Sequence, residues 1–154
     1  MALKDLARQM VSEAPARMTL YGPNGEPIVR NVSNGTSEEC WIELYPSQSE
    51  VGRAIDRRLL DKALRRRTTR ASARDVEQNV LEKLVHLTKA WSIAMPDGTP
   101  IDEPCTPDNV MVIYSGVQWV RDQVSNFVND LGNFQATPLG NSSTSPNMSS
   151  DSAA

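Results

Sequence analysis

Apolar residues recur at Val117, Val120, Val124, Phe127 and Leu131, in steps of three, four, three and four. Arg121, Asp122, Ser125, Asn129 and Asp130 fall largely between them. That is the 3.6-residue period of a helix with one buried face, and no other stretch shows it as clearly. Just upstream, Thr106-Pro107-Asp108-Asn109 supplies a capping hydroxyl, a proline at the first helical position and an acid in the first turn. A helix is therefore predicted through Tyr114, breaking near Gly116. Val51, Ile55, Leu59 and Ala63, widened by Leu60 and Leu64, predict another helix, with Ser47 and Glu50 as its capping box. Thr68 and Thr69 interrupt the pattern. Val76, Val80, Leu84, Leu87 and Trp91 then resume it, with Asp75 and Lys89 placed to complement the dipole of a second helix.

Elsewhere the period changes. Cys40 to Tyr45 alternates large or β-branched groups with polar ones, the pattern of a strand, and Pro46 closes it. Asn24-Gly25 can adopt the positive φ of a tight turn, so short strands are expected on either side of it. Pro96-Asp97-Gly98 marks a similar turn between two brief extended pieces. Leu3, Leu6, Met10 and Val11 make a narrow stripe ended by Pro15, a short helix or flexible segment. Beyond Ala136 the chain is rich in Ser, Asn, Pro and Gly and nearly empty of large apolar groups, so its ordering entropy exceeds what it could bury and disorder is expected. These elements predict an α+β fold in which a small antiparallel N-terminal sheet packs with a mainly helical middle and C-terminal part. Residues 1–17 form a leading segment, 18–134 the domain and 135–154 a disordered tail.

Composition narrows the class. An apolar share of 39% supports a folded core, while an aromatic share of 5% keeps that core modest. No apolar run approaches the roughly 20 residues that span a bilayer, and the N-terminus lacks a signal-peptide core, so a cytoplasmic location is expected. Cys40 and Cys105 lie far apart, outside any metal or redox spacing, and are expected as free thiols.

Groups for chemistry are scarce. His86 is the only histidine, so any imidazole-based triad would depend on it alone, and it has no motif around it. Asp97, Asp102 and Glu103 cluster near a turn without the spacing of a calcium loop. No phosphate-binding glycine loop is present, and the sequence nominates no catalytic residue, cofactor or metal site. The strongest local feature is charge. Between Arg53 and Arg74 stand nine Lys/Arg, among them Arg57, Arg58, Arg65, Arg66 and Arg67, against only Asp56 and Asp61, although the whole chain carries −3. Such a stretch serves equally as a solvated helix face, a dock for an acidic protein segment or a phosphate-binding stripe. No aromatic residue is interleaved in it for base stacking, which disfavours nucleic acid.

Thr106-Pro-Asp-Asn109, Trp119-Val-Arg-Asp-Gln-Val124, Phe127-Val128 and Asn133-Phe134 occur in that order. Upstream stand the Trp41 to Pro46 strand, the arginine-rich helix, and Leu87-Thr-Lys-Ala-Trp91 leading into a Pro-Asp-Gly turn. Over roughly Met18 to Phe134 this arrangement resembles the tail assembly chaperones of long-tailed, siphovirus-type bacteriophages. Leu131-Gly132 departs from that pattern, standing where polar or basic and small residues are usual before Asn-Phe. The resemblance implies a non-enzymatic factor of the host cytoplasm. Such a factor coats the tape measure protein, helps recruit tail tube protein and leaves before the virion matures, sometimes with a second domain appended by a frameshift. A reversible holdase built on many modest contacts, with self-association possible, fits that role. Val120, Val124 and Phe127 are expected in the core. Trp119 and Gln123, off the stripe, are expected partner contacts, together with Arg121, Phe134 and the arginines at 57, 58 and 65–67. The competing readings are a nucleic-acid-binding module using the arginine-rich helix and a structural minor tail protein.

Overall fold

The computed structural model describes residues 2–4, 13–32, 35–65 and 72–134. Residues 2–4 are helical, and the rest of the expected N-terminal helix and the C-terminal tail lie outside the described residues. The elements run β1 (Ala16–Thr19), β2 (Val29–Asn31), β3 (Ser37–Glu39), β4 (Trp41–Leu44), α1 (Glu50–Arg65), α2 (Ala73–Leu87), β5 (Thr88–Ala94), β6 (Pro100–Ile101), α3 (Pro107–Gly116), α4 (Gln118–Val128) and a 3-10 turn (Leu131–Phe134). The fold is the expected α+β arrangement of antiparallel strands and helices. Because β1 begins at Ala16, the last two residues assigned to the leading segment belong to the sheet.

The main sheet has the order β1-β4-β5-β6 with every neighbour antiparallel, and β2 and β3 pair separately. Its centre is β4, where Ile42 lies opposite both Met18 and Trp91. Cys40, Ile42 and Leu44 point to one face and are buried, as the period of two requires. Against that face pack Leu84, Val85 and Leu87 of α2, Val110 and Tyr114 of α3, and Val120, Val124 and Val128 of α4. Tyr114 is fully buried, yet its hydroxyl is satisfied. Thr88 Oγ1 donates to the Leu84 carbonyl at 2.8 Å, so the 2.7 Å contact between Thr88 and Tyr114 is the phenol donating to that oxygen.

Three expectations need correction. The second helix does not run to Trp91. It stops at Leu87, and Thr88 to Ala94, including Lys89 and Trp91, form β5. Pairing with β4 is worth more here than another helical turn rich in β-branched and aromatic residues. Asp75 stands in its first turn, as expected, and completes a capping box with Ser72. The first helix is capped by Ser49, not Ser47. Ser49 Oγ accepts from Gly52 N at 3.2 Å and donates to the Pro46 carbonyl at 2.6 Å, while Ser47 N is used by the Val128 carbonyl at 2.9 Å. Of the expected stripe only Ile55 is buried, Val51 and Leu59 are half-buried, and Leu60, Ala63 and Leu64 face water, while the helix also buries Gly52. Short strands flank Asn24-Gly25 as expected, and Ile28 N donates to the Leu20 carbonyl at 2.9 Å and Gly22 N to the Glu26 carbonyl at 2.8 Å across the turn. Gly25 has φ +83° in a loop closed by a Tyr21–Pro27 bridge, while β1 joins β4 and β2 joins β3.

The α3 opening matches expectation. Thr106 Oγ1 accepts from Asn109 N at 3.3 Å, Pro107 occupies the first turn, and the helix ends at Gly116. On α4 the buried stripe is Val120, Val124 and Val128, with Phe127 half-buried beside it. No helix among the described residues is long and apolar enough to cross a membrane.

Candidate functional site

Two open pockets, of about 290 and 300 Å³, adjoin at Ile101 and Ile113 and form one groove between the β5–β6 hairpin and α3. The first is walled by Ile93, Met95, Val117 and Trp119, and every residue lining it is apolar. The second adds Val112 and the Trp91 ring, with Glu103 and Asn109 at its rim. Met95 is 50% exposed and Val112 67%, so the groove opens to water through large apolar side chains. Sequence explains why it is apolar. Val110-Met-Val-Ile113 places four apolar residues in a row, more than one helix face can bury, and only Val110 of them is buried.

Glu103 is the acid that lines the groove. From Ala90 to Val120 the chain holds Asp97, Asp102, Glu103 and Asp108 and no lysine or arginine. Asp102 is paired at 2.6 Å with Arg30, which reaches from β2 and donates also to the Ile93 and Ile101 carbonyls at 2.9 Å each. Arg30 thereby pins the hairpin that forms one wall. Asp97, Glu103 and Asp108 have no ion-pair partner among the described residues. The hydrogen bond from Thr99 N holds the Asp97 carboxyl below its ordinary range.

The second surface is the α1–α2 helical hairpin. Leu60 is 60% and Leu64 69% exposed on α1, and Val76 and Val80 are exposed on α2. Much of the basic charge here is internally answered. Arg57 Nη2 meets Glu50 at 2.6 Å, Arg53 meets Glu50 at 3.4 Å, and Lys62 meets Glu82 at 3.6 Å. Arg57 and Arg53 hold the Glu50 carboxyl below its ordinary range, with the Arg57 hydrogen bond as the leading cause. Arg58 donates to His86 Nε2 at 2.8 Å, because His86 Nδ1 must carry the hydrogen it gives to the Glu82 carbonyl at 2.9 Å. Arg65 and Arg74 have no ion-pair partner among the described residues, and Arg66 and Arg67 lie outside them.

The remaining candidates sit apart from the arginine group, on and after α4. Trp119 walls the groove, half-buried. Gln123 is engaged within the fold. Its Oε1 accepts from Tyr21 N at 2.9 Å and its Nε2 donates to the Tyr21 carbonyl at 2.7 Å and the Trp119 carbonyl at 3.1 Å. Arg121 pairs with Glu77 of α2 at 3.5 Å. Phe134 is buried, edge-on to Phe127 at 5.2 Å between ring centroids and 76° between planes. Gln123 and Phe134 thus have intramolecular roles: one splices a strand-like backbone to α4, the other closes the core. Sequence reasoning missed Met95, Ile101, Val112 and Ile113. The unbroken apolar run on α3 was the signal that could have found the last two.

Both thiols are held above their ordinary pKa by burial, with Arg30 partly opposing this at Cys40. Among the described residues no three His, Cys, Asp or Glu side chains are gathered closely enough to hold a metal ion. No protein-family model matches the chain, and no curated protein or solved structure matches it either.

Proposed function

We propose that this protein is a tail assembly chaperone of a long-tailed bacteriophage, which shields the tape measure protein in the host cytoplasm and helps bring tail tube subunits to it. The observation that supports this reading is the apolar surface left open to water, in the groove over Ile101 and Ile113 and at Leu60, Leu64, Val76 and Val80. A groove with few polar groups cannot orient a small substrate, since specific ligand sites carry a handful of placed donors and acceptors. It can receive aliphatic side chains of another chain, as helix-binding grooves do. Contacts of that kind gain affinity from area and need no buried ion pair to be broken on release, which suits a factor that binds and then departs. The resemblance in residues 18–134 supplies the partner.

Co-expression tests it. The tape measure polypeptide should aggregate alone, stay soluble beside this protein and co-purify with it, while mass spectrometry of mature particles should find no stoichiometric copies. Equal solubility of the tape measure with and without it would refute the reading. Abundant copies in finished tails would favour a structural tail protein instead.

A further inference from the structure

The main sheet is open along the outer edge of β1, and we propose that this edge takes up an extended, lysine- or arginine-bearing segment of another protein as an added strand. The proposal goes beyond the chaperone reading and does not use the groove.

Hydrogen-bond direction locates the site. Leu20 N donates to the Cys40 carbonyl at 3.1 Å, so Leu20, Met18 and Ala16, alternating along the chain, turn their main-chain groups towards the β4 side. Those of Arg17, Thr19 and Tyr21 turn outward. Tyr21 is already met, because the Gln123 amide accepts from its N at 2.9 Å and donates to its carbonyl at 2.7 Å, the two bonds that a residue of a neighbouring strand would make. At the other end Pro15 has no N–H to offer. Between these stops the outward N–H and C=O groups of Arg17 and Thr19 have no partner among the described residues. On the opposite edge strand, by contrast, Arg30 answers the Ile101 carbonyl at 2.9 Å. An edge left open in the middle and stopped at both ends fits strand addition, in which main-chain bonds give affinity and alternate side chains give specificity.

The surroundings select the occupant. A crevice of about 300 Å³ runs beside the edge between β1 and α4, with Met18 and Phe127 on its apolar side and Asn126, Asn133 and Asp130 on its polar side. Asp130 has no ion-pair partner among the described residues. Residues two apart in a strand face the same way, so an aliphatic side chain over Met18 and Phe127 would be followed at that spacing by a cation near Asp130. Residues 135–154 of this chain cannot supply it, since they hold one acid and no lysine or arginine. A second copy adding β1 to β1 would bring two Arg17 and two Asp130 into one short contact, like charge beside like.

Amide exchange followed by NMR on the full chain tests the proposal, with the capped synthetic peptide Thr-Val-Thr-Lys-Thr as probe. At millimolar concentration it should shift the Arg17 and Thr19 amides and slow their exchange at least about fivefold. The same peptide N-methylated at every residue keeps its side chains, loses its main-chain donors and should do neither. Thr19→Pro should abolish binding and keep the fold, because that N–H takes no part in the β1–β4 ladder and edge strands tolerate proline. The N-methylated peptide decides the matter even if this variant does not fold. Glutamate in place of lysine in the peptide, or Asp130→Asn in the protein, should raise the dissociation constant about two- to fivefold, as loss of an exposed ion pair does. Arg17 and Thr19 amides indifferent to the peptide, equal binding of its N-methylated form, or undiminished binding by folded Thr19→Pro would each overturn the proposal. Equal binding of the lysine and glutamate peptides would overturn the basic occupant. Amides already protected in the protein alone would overturn the assignment to a partner: this chain itself would then fill the edge, or a second copy would, if protection grew with concentration.

Discussion

Replacing Gln123 by alanine tests how much its amide, as a structural splice, contributes to stability. The amide makes three hydrogen bonds to main chain, two of them to Tyr21, 102 residues away in sequence. Each bond is worth about 0.5–1.5 kcal/mol net, and the lower half of that range applies because the Tyr21 groups lie near the surface, where water can replace the lost partner. Gln123→Ala should therefore lower stability by about 1.5–3 kcal/mol, a fall in melting temperature of roughly 5–15 °C for a domain of this size. Gln123→Glu sharpens the test. Its carboxylate could still accept from Tyr21 N but would face the Tyr21 and Trp119 carbonyls with no hydrogen to give. It should be at least as damaging as alanine at neutral pH and recover in part when acidified, once a carboxyl hydrogen is available. Thermal denaturation followed by circular dichroism measures both variants. A melting temperature for Gln123→Ala within about 1 °C of wild type would show that the splice contributes nothing, because even one such bond should move it further.

Gly52→Ala should destabilise the protein by about 1–3 kcal/mol or more, although alanine in a helix usually helps, because its Cβ would stand 2.0 Å from the Ser47 carbonyl oxygen. Urea denaturation reads this as a lower midpoint, and an unchanged or raised midpoint refutes it. Tyr114→Phe should cost about 1 kcal/mol at neutral pH through the lost Thr88 bond. It should also flatten the alkaline limb. Burial raises the folded phenol's pKa, so its stabilisation is complete below the unfolded value of about 10 and declines as pH rises above it. Denaturation midpoints at about pH 8 and pH 11 should thus fall further for wild type than for the variant. Thiol labelling of the native protein should modify Cys105, which is half-exposed, before Cys40, which is fully buried and reacts only on unfolding. Equal rates at both would contradict the fold.

Local signals were legible where chemistry forces one conformation. The Thr106-Pro107 opening, the Cys40 to Pro46 strand and the Gly98 turn, with φ +96°, are each found as expected. Choices between close local options were not. Ser47 and Ser49 both suit a cap, and only the Val128 carbonyl claiming Ser47 N and the contact over Gly52 decide between them. Val80, Leu84, Leu87 and Trp91 have helical spacing, yet pairing with β4 takes Trp91 into a strand, a preference that depends on residues far away in the chain. Periodicity also cannot tell a buried leucine from an exposed one. Leu60 and Leu64 continue the pattern begun at Val51, but the core ends before they reach it. The groove drew residues from β5, β6, α3 and α4, so no linear motif could announce it.

The wedging of Phe134 against Phe127 gives the folded body a defined exit. The Asn133 side chain reinforces it by donating to the Phe127 carbonyl at 3.1 Å. The last described turn is thereby tied to α4, so loosening either ring would loosen both together.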